Sequence, residues 1–315
     1  MFQGLVSTAN RLYGTLQRTF LRGRPALVEA PQLPALPRSF KRLERVVLTA
    51  EVSRTLFEEY AAHRASQRGE EEIGWVLLGV REVDHAIVLA TLPAGAQRSA
   101  GVAHVQFNKN AQALASRIVR QWDKRLVMLG IVHTHPGNLR HPSDGDFHGD
   151  SAWVGQLRGG DGIFAIGTAE AVSDHGGPPH VQTMNGLTLC WYGLKQGDDN
   201  YRPLPVEVTK GVDLALPLHP VWETIEAFAN PLERLCVQQA GMTFQVVGDA
   251  AGSALVVCLK LAEPGAALRI VLKDRQAAWY WQRGEELHGI SPSCEQLDRN
   301  VYLLLADLAA GGKDH

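Results

Sequence analysis

Leu126-Val127-Met128-Leu129-Gly130-Ile131-Val132-His133-Thr134-His135-Pro136, followed by Pro142-Ser143-Asp144-Gly145-Asp146, is the stretch on which the reading of this chain turns. An unbroken apolar run of this length fits a strand covered on both faces, and therefore a sheet with layers above and below it. Side chains alternate along a strand, so His133 and His135 leave its end on the same face. Their ring nitrogens can then converge on one cation at about 2.0–2.1 Å, the usual zinc–nitrogen distance. Ser143, preceded by proline, suits a helix N-cap, which puts Asp146 in the first turn. A carboxylate there faces back toward the strand end and completes a three-ligand set. Three protein ligands leave a fourth position for water, as a catalytic rather than a structural zinc site does.

Outward from that stretch the pattern stays regular. Upstream lies an amphipathic helix over about 108–123. Before it come strands at 73–80 and 86–92, a short strand at Val46-Val47-Leu48, and a helix to about Ser66 with Thr49 placed as its cap. Downstream, 162–167 and 187–194 supply two more strands. Helices falling between groups of strands predict a mixed α/β (α+β) domain, a sheet flanked by helices, over residues 41–208. Past Val208 the composition restarts. A helix over 217–233, broken near Pro231, precedes strands at 242–247, 254–261, 267–272 and 278–281, and a helix at 294–309 closes the chain. This predicts a smaller accessory α+β domain over 209–315.

The first 24 residues read differently. Phe2, Leu5, Val6, Ala9, Leu12, Tyr13, Leu16, Phe20 and Leu21 recur at helical spacing beside Arg11, Arg18, Arg22 and Arg24, and the first acid is Glu29. This is a basic amphipathic helix, tied on by a proline-punctuated tether (Pro25, Pro31, Pro34, Pro37) within residues 1–40. Arg11, Gln17 and Arg18 break up the apolar stretch that a secretory signal needs. Packing on the protein's own body, docking on a partner, and contact of residues 1–24 with an anionic membrane remain open, the last not favoured.

The whole chain of 315 residues carries 31 Lys and Arg against 33 Asp and Glu, a net charge of −2. That balance provides no field for gathering nucleic acid, so no nucleic-acid partner is expected. Four scattered cysteines (Cys190, Cys236, Cys258, Cys294) form no C-x-x-C pair and suit buried thiols of a reducing compartment, so a cytoplasmic location is expected.

A metal-activated water still needs a base that does not itself bind the metal. Glu71 is the candidate, in Glu71-Glu72-Ile73-Gly74-Trp75-Val76-Leu77-Leu78-Gly79, just before a buried strand. Ser143 has a second use, because its hydroxyl can donate to the oxyanion of a tetrahedral intermediate.

Glu-x-x-Gly before a strand, His-x-His-Pro, seven residues between His135 and Ser143, and Ser-x-x-Asp together resemble the JAMM metalloproteases. These are the MPN-plus, or JAB-like, domains that remove ubiquitin-like proteins from lysine or cleave related peptide bonds. The resemblance covers about Lys41 to Val208 and is closest in kind to the prokaryotic branch. It implies one Zn2+ held by His133, His135 and Asp146, with Ser143 stabilising the oxyanion and Glu71 as general acid/base. The family spacing to Gly74 favours Glu71 over Glu70 and Glu72. The activity implied is a deubiquitinase-like isopeptidase acting after a glycine tail. A peptidase maturing a ubiquitin-like or sulfur-carrier precursor is the alternative, and an MPN-type adaptor or scaffold is the rival from another class. The implied partners are a ubiquitin-like protein or its conjugates, with the matching activating and conjugating enzymes. His141 and His148 flank the motif and are read as exposed loop residues. Asp144 and Asp150 are read as helix-start acids without chemistry.

Overall fold

A computed structural model describes residues 39–95, 99–100, 105–169, 177–239, 241–249 and 252–311. The amphipathic segment 1–24 and its proline tether lie outside the described residues.

The described residues divide into two compact units, one of 39–112 with 119–219 and the other of 113–118 with 220–311. The first unit holds a nine-stranded sheet. Its strands are β1 (Arg45–Thr49), β2 (Gly74–Arg81), β3 (His85–Pro93), β6 (Val127–Thr134), β7 (Asp161–Thr168), β8 (Val181–Met184), β9 (Leu187–Lys195), β10 (Arg202–Pro203) and β11 (Val206–Thr209). A separate two-stranded ribbon joins β4 (Ser99–Ala100) to β5 (Val105–Gln106). The order across the main sheet is β10-β9-β7-β6-β2-β3-β1-β11, with β8 paired to β9. β6 runs parallel to β7 and antiparallel to β2, so its carboxyl end meets the amino end of β2.

Both faces of this sheet are packed, which is why its central strands read as apolar runs. On one face, Val52, Leu56, Phe57 and Tyr60 of α1 (Ala50–Arg64) join Trp75, Leu77, Val132, Ile163 and Trp191 in one core. On the other, Phe164, Ile166, Cys190, Tyr192 and Leu194 gather with Val154 and Leu157, and Phe147 and Trp153 pack against them. Phe147 belongs to α3 (Asp144–Ser151). The remaining helix, α2 (Lys109–Val119), contributes its middle, 113–118, to the second unit. Gly79 marks a shift of register between β2 and β3, where a Cβ would stand 1.9 Å from the Ile87 carbonyl oxygen. That contact admits glycine alone.

The second unit carries a five-stranded antiparallel meander. Its strands β12 (Met242–Asp249), β13 (Gly252–Lys260), β14 (Ala266–Lys273), β15 (Gln276–Arg283) and β16 (Glu286–Ile290) lie in chain order. It is framed in sequence by α4 (Trp222–Gln238) and α5 (Leu297–Gly311). The mixed α/β class with an additional C-terminal β-rich unit is therefore as expected.

Three details depart from expectation. β11 pairs in parallel with β1, and Asp213 accepts hydrogen bonds from Thr91 N and Thr91 Oγ1, so residues 209–219 pack with the first unit. The compositional change at Val208 thus precedes the structural boundary. Pro231 does not break the fourth helix. A 3-10 turn at Leu216–Val221 precedes it, and the buried stripe Trp222, Ile225, Ala229, Leu232 and Leu235 runs straight through. Burial of a whole apolar face outweighs one missing hydrogen bond. Finally, β16 was not anticipated, because Glu286-Leu287-His288-Gly289-Ile290 has only one partner strand and little apolar content.

Candidate metal centre

The centre forms where β6 ends. Gly74 stands opposite His133 in the β2–β6 ladder, and beyond it Thr134 N donates to the Ile73 carbonyl at 2.9 Å. Ile73 N donates back to Thr134 Oγ1 at 3.0 Å, and His135 N reaches the Gly167 carbonyl at 2.9 Å. Pairing on both sides therefore fixes the backbone through His135. The imidazoles of His133 and His135 are buried on the α3 side of the sheet. Ser143 caps α3, as its proline-preceded position predicts: its hydroxyl accepts from Asp146 N at 3.2 Å. Asp146 closes a reciprocal capping box, with Oδ2 accepting from Ser143 N at 2.6 Å and Ser143 Oγ at 2.8 Å.

This brings the three expected ligands together. His133 Nε2 and His135 Nε2 are 3.1 Å apart, His133 Nε2 lies 3.2 Å from Asp146 Oδ1, and His135 Nε2 lies 3.5 Å from Asp146 Oδ2. Two donors about 2.05 Å from one ion at the tetrahedral angle would be separated by roughly 3.4 Å, close to all three spacings. His135 Nδ1–H donates to the Leu139 carbonyl at 3.0 Å, which leaves Nε2 as the lone-pair nitrogen aimed at its neighbours. Two imidazole nitrogens and a carboxylate so close together need a proton or a cation among them. The donor set, its geometry and the fixed tautomer all suit a divalent ion, and this is the one such group among the described residues.

Electrostatics within the cluster agree. Burial pushes the Asp146 carboxyl upward, but the hydrogen bonds and charges of His133 and His135, with Ser143, outweigh it and hold the group well below the carboxylate range. For His135 burial acts downward, and Asp146, the Leu139 carbonyl and Glu72 more than reverse it.

Glu71, the expected base, is placed elsewhere. It lies in the turn before β2, where its N–H donates to the Arg68 carbonyl at 2.9 Å. Its carboxylate is gripped by Arg68, with Nε at 2.8 Å, and its carbonyl oxygen bonds His63 Nε2 of α1 at 2.8 Å. Glu72, one position nearer β2, is only 4% exposed, and its charge raises the pKa of His135. The structure thus brings Glu72, rather than the expected Glu71, to the buried side where His133 and His135 lie.

Asp150 was also misjudged. One turn beyond Asp146 on α3, it is buried, and its carboxylate accepts from Tyr201 Oη at 2.7 Å and Trp153 Nε1 at 3.2 Å. His148 is exposed, its Nδ1 bonding the Asp144 carbonyl at 2.7 Å, and His141 is exposed as read.

No curated protein matches the chain. Among solved structures, the solution structure of protein DSY2949 from Desulfitobacterium hafniense is similar, with a TM-score of 0.37 and 18% identity, covering 53% of this chain and 94% of that one. Residues 53–177, which span β2, β6 and α3 with all three candidate ligands, match the family model described as prokaryotic homologs of the JAB domain, so this part of the chain is similar to the JAB-like family.

Proposed function

We propose that this chain is a zinc-dependent peptidase that hydrolyses the bond following the C-terminal glycine tail of a ubiquitin-like protein. The observation that supports it most is the convergence of His133, His135 and Asp146, with Glu72 buried close enough for its charge to act on His135. A divalent ion held by those three side chains supplies Lewis acidity and water acidified to a pKa of about 7. The protein's own groups then have separable tasks. Glu72 accepts a proton from water in the site and returns it to the leaving amine, a role that suits a carboxylate near the ligands and outside their set. Asp146 is oriented by Ser143, whose single hydroxyl proton is spent on Oδ2 in the resting site. Donation to an oxyanion by Ser143 therefore requires that hydroxyl to rotate away from Asp146. The glycine-rich tail suits such a centre because a segment without side chains brings its scissile carbonyl close to buried ligands.

The deciding experiment compares Glu72→Gln and Glu71→Gln on a fluorogenic amide of a ubiquitin-like protein. Glu72→Gln should keep the metal and lose about 10²- to 10⁴-fold in kcat, the usual worth of a general base, whereas Glu71→Gln should stay near the parent. His133→Ala should lose both metal and turnover. Full activity in Glu72→Gln would refute the assignment. Mass spectrometry of the products from a lysine-linked conjugate and from a C-terminally extended precursor separates isopeptide cleavage from precursor maturation.

A further inference from the structure

The loop 136–142 that joins the two histidines to Ser143 is tied to the sheet by one side chain. Tyr192 of β9 is buried on the α3 side, and its Oη donates to the Arg140 carbonyl at 2.8 Å. A phenol has one proton, so the contact of 3.0 Å between Oη and His141 Nδ1 has the imidazole N–H donating and the phenol oxygen accepting. The preceding carbonyl, that of Leu139, accepts from His135 Nδ1. Two consecutive peptide carbonyls therefore connect a buried phenol to a ligand imidazole. The Tyr192 ring is itself confined, with the rings of His141 and His180 each 5.9 Å away and that of Tyr201 at 6.3 Å.

We infer that Tyr192 is a positioning residue for the metal centre: by holding the Arg140 carbonyl it fixes the Leu139 carbonyl, and with it the tautomer and ring direction of His135. The inference rests on the metal-centre reading above. Without the phenol hydroxyl, the Arg140 carbonyl loses this bond to β9, and the hold on the adjoining Leu139 carbonyl that accepts from Nδ1 is weakened. His135 would then populate the tautomer with its proton on Nε2, which cannot bind a cation there. Burial raises the phenol's pKa above its ordinary value, so it remains a donor throughout the working pH range.

The test uses the full chain and reads zinc affinity by chelator competition, alongside the thermal midpoint of the metal-free protein. Tyr192→Phe keeps the ring and removes only Oη. It should weaken zinc binding by about tenfold or more, the common effect of losing an outer-shell partner. Tyr280→Phe, the same change in the second unit, should leave affinity unaltered. Placing p-aminophenylalanine at position 192, whose amine can donate to the Arg140 carbonyl, should restore the affinity, which a purely packing role does not predict. Long-range proton–nitrogen spectra of the metal-free protein should show His135 protonated at Nδ1 in the parent and mixed in Tyr192→Phe. That reading also decides the matter if Tyr192→Phe folds too weakly for titration, because failure of the p-aminophenylalanine protein to regain both affinity and the Nδ1-protonated form overturns the inference. Parental zinc affinity in Tyr192→Phe overturns it as well while leaving the metal centre intact. A parent that takes up no zinc overturns the metal-centre reading first and this inference with it.

Discussion

At the residue scale, the buried acid beside the ligands has a chemistry that departs from its surface behaviour. Burial pushes the Asp150 carboxyl up to about 6, and the charge of Asp146 adds to it, against hydrogen bonds from Tyr201 and Trp153 and the charge of His133. Its ordinary value is 3.8. Between about pH 4 and pH 6 the folded state therefore holds this proton more tightly than the unfolded state does, so the group's contribution is greatest below pH 4 and is lost as pH rises through 6. Two units correspond to roughly 3 kcal/mol. Urea unfolding of the metal-free protein at pH 4.5 and pH 7 should show this fall, and Asp150→Asn should flatten it. An identical pH slope in the variant would contradict the assignment. The neighbouring glutamates carry a related lesson. Glu71 closes a turn on Arg68 and is held by its guanidinium, whereas Glu72, one position nearer β2, is buried close enough for its charge to act on His135.

At the scale of elements, caps and ladders set where the functional side chains emerge. Thr49 ends β1 and caps α1, with Oγ1 accepting from Val52 N at 3.3 Å and donating to the Val212 carbonyl at 2.9 Å. One buried hydroxyl thus starts the helix that covers the α1 face and ties down the segment after β11. Thr49→Ala should cost about 1–2 kcal/mol, and Thr49→Ser should recover most of it, as measured by denaturant midpoint. Both caps, Thr49 and Ser143, were legible because capping depends on a residue and its next three neighbours. β11 was not, because its partner β1 is distant in sequence, and β16 was not, because a short edge strand with little apolar content carries no alternation of its own. Pro231 was misread for a similar reason: its local penalty is written in the chain, whereas the buried stripe that overrides it depends on what that face meets.

At the scale of the whole molecule, a cation bound only by the folded chain couples the centre to overall stability. His133, His135 and Asp146 come from a strand end and a helix start, and they converge only when the sheet and α3 are assembled. Zinc at one hundred times its dissociation constant should therefore stabilise the protein by about 2.7 kcal/mol, seen as a rise in Tm that a chelator reverses. His133→Ala should show no such rise, and an equal rise there would place the bound zinc elsewhere. The two units divide near residue 219, and among the described residues no helix is long and apolar enough to cross a membrane.

The sequence by itself determined the layered α/β class, the strand that ends in two histidines, the cap that starts α3 and the identity of the three candidate ligands. Each of these follows from periodicity or from contacts a few residues apart, which the order of amino acids encodes directly. Only the tertiary structure decided which glutamate is buried near the histidines, that Asp150 is buried beside them, and that Tyr192 holds the loop that follows them. Those outcomes depend on the register between strands and on which face each helix covers. Both are settled by packing among segments far apart in the chain, where no local pattern carries the information.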